Sequence, residues 1–474
     1  MRLRIYLSAL LLLSSLAGSV FAAPPPSPEP GAEAYAARRA RLMARLPQGA
    51  MAVLNASEED GTMFTVYRPD SNFWYLTGIG ENQAVVVLRP GVEGKAYTLY
   101  SRAKSREAEQ WNGYLIGQDA AKTGYGFDAA FTDEEFGKQM AEMMRESSSL
   151  WIMDGGDTKF RDRLLKAWDG RSRNSPVALP VYNLEPTIAE MRLFKDPTEI
   201  ALLRHAVDLS VEAHLAALPL VSAGTGEWIV RAAMTRVCAG GGSPRMAYTP
   251  IVGSGVNAVV LHYASASKVM AKGDMVVNDT ACEYGMYAAD VTRSYPVGGV
   301  FSPEQKAIYE LVQQAQAAGA AKAVLGAPLQ GVHDATIEVI VDGLLKLGIM
   351  KGDKAAIIAD KSFRAFYPHG SSHWIGLDVH DVGNYERTAP PKDAPEKIRG
   401  MYTRAQVALK PGMAFTIEPG IYIPENSEGV DPKWWNIGVR IEDDYLMTGK
   451  GLECLSCAMP RDIPTLEKLM RKRG

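Results

Sequence analysis

The sequence predicts an α/β domain followed by a second domain that mixes helices with short strands. Its 474 residues correspond to two or three domains of ordinary size. Residues 50–185 alternate short apolar runs, typical of buried strands, with helical stretches. Beyond a boundary near 184–195, longer helical stretches flank a predicted strand pair that carries Asp279 and Asp290. The candidate chemistry therefore lies in the second domain.

Composition excludes some functional classes. The chain is 47% hydrophobic and 22% charged, which is ordinary for a soluble globular protein with an ample core. Its formal net charge is −3, and it has no basic run with interleaved aromatic residues. A dedicated nucleic-acid binder is therefore not expected.

Residues 1–22 have the organisation of a cleaved secretory signal. Arg2 and Arg4 form a basic beginning, and Ile5 to Leu16 is an apolar stretch too short to span a membrane. Val20-Phe21-Ala22 then offers small residues at the positions that precede a cleavage site. The alternative is an uncleaved membrane anchor. Cleavage would change the net charge from −3 to −5 and leave a periplasmic or secreted chain without a stable membrane anchor.

Residues 23–34 are predicted to be a Pro-rich linker in extended conformation. The first domain is assigned to residues 35–186, and it begins with a helix from Tyr35 to Leu46. A further helix is expected over Glu134 to Glu146. Strands are predicted at Met51–Leu54, Ala84–Leu88, Tyr97–Tyr100 and Ser149–Met153. This domain contains no nucleophile elbow, phosphate loop or metal-ligand cluster in its sequence.

The second domain is assigned to residues 187–465, followed by a basic tail at 466–474. Asp196 as N-cap, Pro197 at the first helical position and Glu199 two residues later form a strong helix start. Helices are also predicted over 225–239, from Ser302 onward and over 332–347. Three histidines on these helices are expected to be structural: His205, His214 and His333.

The strand pair that carries Asp279 and Asp290 is the first candidate site. Two short strands around a Glu283–Met286 turn would place the two aspartates opposite each other. Neighbouring carboxylates repel each other strongly at low dielectric unless a cation lies between them. A divalent metal is the usual solution. The alternative is two solvated aspartates on an exposed hairpin.

Further polar residues occur in three later segments. His369, His373 and His380 fall within twelve residues, and the alternation of Leu377 and Val379 with polar residues predicts a strand that carries His380. Glu418 is the only charge in an apolar strand. Arg440 and Glu442 alternate with Ile437, Val439 and Ile441. A buried lone glutamate is costly unless it is paired or bound to metal, and Arg440 could simply neutralise Glu442.

Together these residues favour a metal centre. The charges of Asp279, Asp290, Glu418 and Glu442 balance two divalent cations, and His373 adds one nitrogen ligand. An oxygen-rich site with one imidazole suits Mn²⁺, Co²⁺, Fe²⁺ or Zn²⁺ better than a structural zinc, which prefers thiolates. Two such ions can polarise a carbonyl and activate water, and histidines outside the metal shell can move protons.

At these positions the chain resembles the Xaa-Pro aminopeptidases (aminopeptidase P), within the pita-bread dinuclear metallopeptidases. The resemblance extends over roughly residues 45 to 465. It rests on Asp279 with Asp290-Val-Thr-Arg, His369-Gly-Ser-Ser-His373-Trp, Gly376-Leu-Asp-Val-His380-Asp, Thr416-Ile-Glu418-Pro-Gly, Arg440-Ile-Glu442-Asp-Asp, Leu261-His262-Tyr263, Ile251-Val-Gly-Ser-Gly, Met191-Arg-Leu-Phe-Lys and Asn72-Phe-Trp-Tyr-Leu-Thr-Gly78. One departure is Ala281, where the family often has glycine.

The resemblance implies a creatinase-like α/β N-terminal domain and an α+β pita-bread catalytic domain with two divalent metal ions, usually Mn²⁺. The implied ligands are Asp279, Asp290, His373, Glu418 and Glu442. Glu418 would also assist proton transfer, while His262, His369 and His380 would act around the substrate. Arg440 would hold Glu442 and the hydrogen-bond network of the site. Trp111 would line a substrate pocket, either of its own chain or of a neighbouring subunit in a dimer or tetramer.

The implied activity is hydrolysis of the N-terminal Xaa-Pro bond of peptides by a bridging metal hydroxide. Two alternatives remain at this point: a prolidase restricted to Xaa-Pro dipeptides, and an inactive peptide-binding module on the same fold. Cys454 and Cys457 are either an inert thiol pair or a small disulfide, and the sequence does not decide between them.

Overall fold

The computed structural model describes residues 30–57, 66–153, 157–169, 179–385 and 406–471. The predicted signal at 1–22 and the first part of the predicted linker, residues 23–29, lie outside these ranges. Among the described residues, no helix combines the length and apolarity that a membrane crossing requires.

The described chain alternates helices and strands along its length. The helices are α1 (Ala32–Met43), α2 (Ser71–Thr77), α3 (Arg106–Asn112), α4 (Gly117–Tyr125), α5 (Asp133–Glu146), α6 (Thr158–Asp169), α7 (Glu185–Leu193), α8 (Pro197–Ala217), α9 (Glu227–Gly240), α10 (Pro303–Lys322), α11 (Gln330–Lys346), α12 (Lys354–Asp360) and α13 (Ile463–Arg471). The strands are β1 (Ala50–Asn55), β2 (Val85–Leu88), β3 (Tyr97–Ser101), β4 (Ala129–Thr132), β5 (Ser149–Ile152), β6 (Val181–Asn183), β7 (Ile251–Ser254), β8 (Met275–Asp279), β9 (Glu283–Tyr284), β10 (Tyr287–Ala288), β11 (Thr292–Pro296), β12 (Ala414–Ile417), β13 (Gly420–Ile423), β14 (Ile437–Arg440), β15 (Asp443–Thr448) and β16 (Gly451–Cys454).

The first six strands form one mixed sheet in the order β4-β3-β2-β1-β5-β6. Strand β1 pairs with β2 antiparallel and with β5 parallel. Side chains alternate across a strand, so Met51 and Val53 pack on one face while Ala52 and Leu54 pack on the other. Both faces are therefore covered, which explains why these strands read as continuous apolar runs.

The second half of the chain surrounds several small sheets with long helices. The order β11-β8-β7 forms one sheet, β12-β15-β16 another, and β13 pairs with β14. Helix α8 begins as predicted: the Asp196 carboxylate accepts from the backbone N–H groups of Thr198 and Glu199, and Glu199 accepts from that of Asp196 at 2.9 Å.

Two predicted boundaries differ from the structure. Residues 32–34, assigned to the linker, belong to α1, because the helix begins directly after Gly31. Residues 466–471, assigned to a basic tail, belong to α13, where Leu466 and Met470 are buried. The tail prediction followed its charges and overlooked the apolar side of an amphipathic helix.

All four cysteines form disulfides. Cys454 pairs with Cys457, which decides between the two alternatives that the sequence left open. The second bridge, between Cys238 and Cys282, was not predicted because its partners are 44 residues apart. It joins the end of α9 to the segment between β8 and β9, so it fastens the strand pair carrying Asp279 to the neighbouring helix.

We predict that the Cys238–Cys282 bridge stabilises the fold more than the Cys454–Cys457 bridge. In the chain-entropy account, the stabilisation of the folded state by a bridge increases with the logarithm of the number of residues in the loop that it closes. This relation gives about 4 kcal/mol for the longer loop and about 2 kcal/mol for the shorter one. Urea unfolding of Cys238→Ala/Cys282→Ala should therefore show the larger loss. The matched control is Cys454→Ala/Cys457→Ala, and an equal or greater loss in that control would contradict the prediction.

Candidate metal centre

The five predicted ligands lie at strand ends or in segments that lead into and out of strands. Strand β11 pairs with β8, and an isolated bridge joins Thr292 of β11 to Glu442. A second bridge, between Trp374 and Phe415, brings the residue after His373 beside β12. The ligands are Asp279 at the end of β8, Asp290 after β10, His373 next to the second bridge, Glu418 after β12 and Glu442 between β14 and β15. Segments far apart in sequence thus meet at one place.

The predicted register of the aspartate hairpin was wrong. Asp279 pairs with Thr292 rather than with Asp290. The turn is centred on Gly285 and Met286, both with positive φ, which is one residue later than the centre of the predicted Glu283–Met286 turn. The two aspartates nevertheless meet at the Tyr248 hydroxyl, which lies 2.5 Å from Asp279 Oδ1 and 2.7 Å from Asp290 Oδ1.

His373 lies at the centre of the remaining carboxylates. Its Nε2 is 3.4 Å from Asp290 Oδ2, 3.6 Å from Glu418 Oε1 and 3.9 Å from Glu442 Oε1. Glu442 Oε2 accepts a hydrogen bond from the Thr292 hydroxyl at 2.6 Å, whereas its Oε1 is buried and has no hydrogen-bond partner in the described chain. An orphaned buried carboxylate oxygen that faces other ligands is what a cation site requires.

The electrostatics confirm that these groups do not balance one another. Burial, and then the charges of Asp290 and Glu418, raise the pKa of Glu442 well above its usual value. Burial also raises the pKa of Glu418 to about 7, and the nearby His373 limits that rise. For His373, burial opposes the charged form, but its hydrogen bond to Asp290 and the charge of Glu418 raise its pKa to about 9.

These residues fit divalent metal ions. The donor set is four carboxylates and one imidazole, and ligand atoms of Asp290, His373 and Glu442 lie within 4.8 Å of one another. Asp279 and Glu418 adjoin this group through Tyr248 and His373. Oxygen-rich ligands with a single nitrogen suit ions such as Mn²⁺, Co²⁺ or Zn²⁺.

Arg440 reaches its predicted partner Glu442 through Thr292, whose hydroxyl accepts from Arg440 Nε at 3.4 Å and donates to Glu442 Oε2. Its guanidinium donates to Asp279 Oδ2 and to the Tyr422 hydroxyl, both at 2.6 Å, and not to Glu442. Arg440 and Glu442, which alternate along this segment, therefore contact different parts of the site. Arg440 neutralises the first aspartate, while Glu442 remains available as a ligand.

Three further histidines surround the ligands. His369 Nε2 lies 2.9 Å from the Tyr422 hydroxyl, and its Nδ1 lies 3.5 Å from Glu418 Oε2. The His380 ring lies 4.2 Å from that of His373, measured between centroids. His380 occupies a series of bends and not the predicted strand, because the loop is shaped by side-chain contacts. His262 is exposed beside the site, and its charge contributes to lowering the pKa of His380 after burial and His373.

Sequence reasoning missed three residues of the site. Tyr248 contacts both aspartates, Tyr422 joins His369 to Arg440, and Asp444 Oδ2 accepts from the backbone N–H of Asp290 at 2.9 Å. Neither tyrosine lies in a motif with metal-ligand spacing. Asp444 carried a usable signal, because it is two residues from Glu442 and so shares its face of the strand.

Trp111 is not brought to the site within one chain. It lies in α3 with 82% of its surface exposed. Its role in a substrate pocket, and the dimer or tetramer that would bring it there, stay predictions.

Comparison with known proteins agrees with this geometry. Residues 201–449 match the model of metallopeptidase family M24, and residues 35–152 match the aminopeptidase P N-terminal domain. The chain belongs to metallopeptidase family M24. The predicted fold class is thereby confirmed as an α/β N-terminal domain of aminopeptidase P type followed by an α+β pita-bread domain.

Relatives of this M24 protein align along almost its whole length. The Xaa-Pro aminopeptidase of Escherichia coli is 34% identical over 91% of this chain and 96% of its own, and that of Haemophilus influenzae is 33% identical over 92% and 97%. Aminopeptidase PepP of Pseudomonas aeruginosa superposes with a TM-score of 0.86 at 35% identity, covering 93% of this chain and 98% of its own. A zinc-substituted aminopeptidase P of E. coli with bound product has a TM-score of 0.85 at 33% identity, covering 93% and 98%.

We predict that Mn²⁺ binding releases protons at about pH 6.5. Metal ligands bind in their deprotonated forms, whereas the raised pKa values of Glu418, about 7, and His373, about 9, keep both groups largely protonated at that pH. Mn²⁺ affinity should consequently rise with pH, and the release should decline above about pH 9. Titration calorimetry in buffers of different ionisation enthalpy counts the protons. An affinity that does not change between about pH 6 and 8 would be incompatible with these shifts.

Proposed function

We propose that this protein is a metal-dependent aminopeptidase that removes the residue preceding proline from the N-terminus of peptides. The observation that carries the proposal is the cluster of Asp290, His373 and Glu442, whose ligand atoms lie within 4.8 Å of one another. Glu418 adjoins this cluster through His373, and Asp279 adjoins it through Tyr248. The M24 relatives named as Xaa-Pro aminopeptidases support the substrate class. The donor set favours two divalent cations, and we propose Mn²⁺ as the working metal, with Co²⁺ or Zn²⁺ as substitutes.

The exposed fractions of the carboxylate side chains indicate which ligands bind the cations and which one transfers protons. Divalent cations at such a site polarise a carbonyl and lower the pKa of water. Glu418 is the most exposed of the four carboxylates, at 16% of its side chain, whereas Glu442 is 3% exposed. Glu418 is therefore placed to accept a proton from an attacking water and pass it to the leaving nitrogen. Asp290 and Glu442 are better suited to hold cations.

The histidines account for recognition of an Xaa-Pro bond. This bond has no N–H and a restricted backbone, so an enzyme that depends on that donor handles it poorly. His262 and His380 are exposed, and the His380 ring lies 4.2 Å from that of His373, so both histidines can donate to the carbonyl of a bound substrate. His369 is held by Tyr422 beside Glu418, so it can steady the carboxylate that moves the proton.

We expect the metal-stripped enzyme to regain cleavage of an Xaa-Pro-Yaa tripeptide when Mn²⁺ is restored, and to release free Xaa. Parallel assays with Xaa-Pro dipeptides, and with Co²⁺ or Zn²⁺, separate the prolidase alternative and identify the working metal. Cleavage of dipeptides alone would replace the aminopeptidase proposal with a prolidase.

Asp290→Ala should abolish turnover because it removes a predicted ligand next to His373. The matched control is Asp208→Ala, which changes an exposed aspartate on α8.

We further propose that the chain is exported and loses residues 1–22. The basic and apolar pattern of that segment supports the proposal, and so does the pairing of all four cysteines, since disulfides persist mainly in oxidising compartments. Intact mass of the protein from a periplasmic or culture-medium fraction should correspond to a chain that begins at Ala23. A chain that retains Met1 or accumulates in the cytoplasm would contradict export.

A further inference from the structure

We propose that Ser71, together with Arg68 and Arg192, is a positioning residue for His380, so that the N-terminal domain takes part in the reaction. The inference rests on the proposed function, because it concerns the histidine that faces the substrate. Its basis is a set of contacts between the start of α2 and the segment 376–381, called here the His380 loop.

The His380 loop has little regular structure of its own. Residues 376–380 form consecutive bends, and the loop is closed by a hydrogen bond from the Asp381 N–H to the Trp374 carbonyl at 2.9 Å. The His380 side chain is exposed, and its ring lies 4.2 Å from that of His373, measured between centroids. The position of this ring against His373 therefore depends on how firmly the His380 backbone is held.

Asp378 and Asp381, on either side of His380, fix the backbone of the loop. Asp378 Oδ1 accepts from the Ser71 hydroxyl at 2.7 Å, and Asp378 Oδ2 accepts from Arg192 Nη2 at 2.7 Å. Asp381 is fully buried between Arg192 and Lys195, with Lys195 Nζ at 2.9 Å. One guanidinium thus bridges the carboxylates on both sides of His380.

The N-terminal domain completes the arrangement. Arg68 donates to the Leu377 carbonyl and to the Ser71 hydroxyl, and its Nε lies 3.2 Å from Glu283 Oε2. Asn72 Oδ1 accepts from Arg192 Nη1 at 2.7 Å. The first turn of α2 therefore contacts the His380 loop directly through Ser71 and indirectly through both arginines.

The packing leaves the loop little room to adopt another path. A methyl group on Gly376 would lie 2.2 Å from Asp381 Oδ2 and 2.9 Å from the Lys195 side chain. Hydrogen bonds to charged groups are stronger than neutral ones, and a displacement of about 1 Å near a reacting group can cost roughly 100-fold in rate. Loss of the Ser71 hydroxyl should hence displace His380, although the hydrogen bonds of that hydroxyl are to Arg68 and Asp378 and not to a predicted metal ligand.

The decisive test combines kinetics with hydrogen exchange in Ser71→Ala, a variant that removes a single oxygen atom. We expect kcat for Xaa-Pro-Yaa to fall roughly 10- to 100-fold, with KM changed less than about threefold because the lost interaction acts in the transition state. In a His380→Ala background, Ser71→Ala should have an effect of less than about twofold, since its route to the substrate is already removed. Asp378→Asn, which changes the other side of the same contact, should follow the same pattern.

Hydrogen exchange tests the same proposal without any assay of activity. Amides of residues 376–381 should exchange faster in Ser71→Ala than in the parent protein, while the matched control Ser147→Ala, a hydrogen-bonded serine in the same domain, should leave them unchanged. Faster exchange in a protein that cleaves no Xaa-Pro peptide would contradict the proposed function alone. Unchanged exchange, or an equal loss of kcat in both backgrounds, would overturn the positioning role of Ser71.

Discussion

Repulsion among buried carboxylates is the constraint on which the second domain depends. Four carboxylates carry four negative charges, whereas Arg440 and a protonated His373 supply two positive ones. Removing an ionised carboxylate from water costs several kcal/mol unless it is paired. The remaining imbalance can be relieved by protonation or by cations, and burial together with the charges of neighbouring carboxylates raises the pKa values of Glu418 and Glu442. A site of this kind exchanges protons for metal.

The scaffold separates groups that must remain unpaired from groups that must be neutralised. Glu442, Asp443 and Asp444 are consecutive, so alternation sends the outer two to one face and the middle one to the other. Asp443 is bound by Arg293 at 2.6 Å and Arg461 at 2.8 Å, and although burial opposes its ionisation, these charges lower its pKa. Burial and the charge of Asp290 raise the pKa of Asp444. The same segment thereby supplies a structural ion pair on one side and, on the other, the carboxylates of Glu442 and Asp444, which lie beside His373 and Asp290.

The sequence was sufficient for features whose signals are local. The capping box at Asp196 and the apolar strands β1 and β2 follow from neighbouring residues, and each lies within a residue or two of its predicted place. The five candidate ligands could be named because their motifs are specific, and their role in metal binding stays a prediction. The pairing of Asp279 with Thr292 was missed because one residue of turn placement changes the whole register. Tyr248 and the Cys238–Cys282 bridge depend on packing between distant segments, for which one sequence contains no signal.

Buried charges at the domain contact explain how the first domain can act on a site to which it contributes no predicted metal ligand. Arg38 of α1 is 2.9 Å from Asp196 and 3.7 Å from Glu199, and Glu199 accepts from the Tyr287 hydroxyl at 2.9 Å. Apolar surfaces can slide over one another at small cost, but a buried ion pair loses several kcal/mol when its partner moves away. The two domains are consequently held in one relative position through α1, α8 and the hairpin that follows Asp279. A contact as short as that of Ser71 with Asp378 can be maintained between domains only if their orientation is fixed in this way.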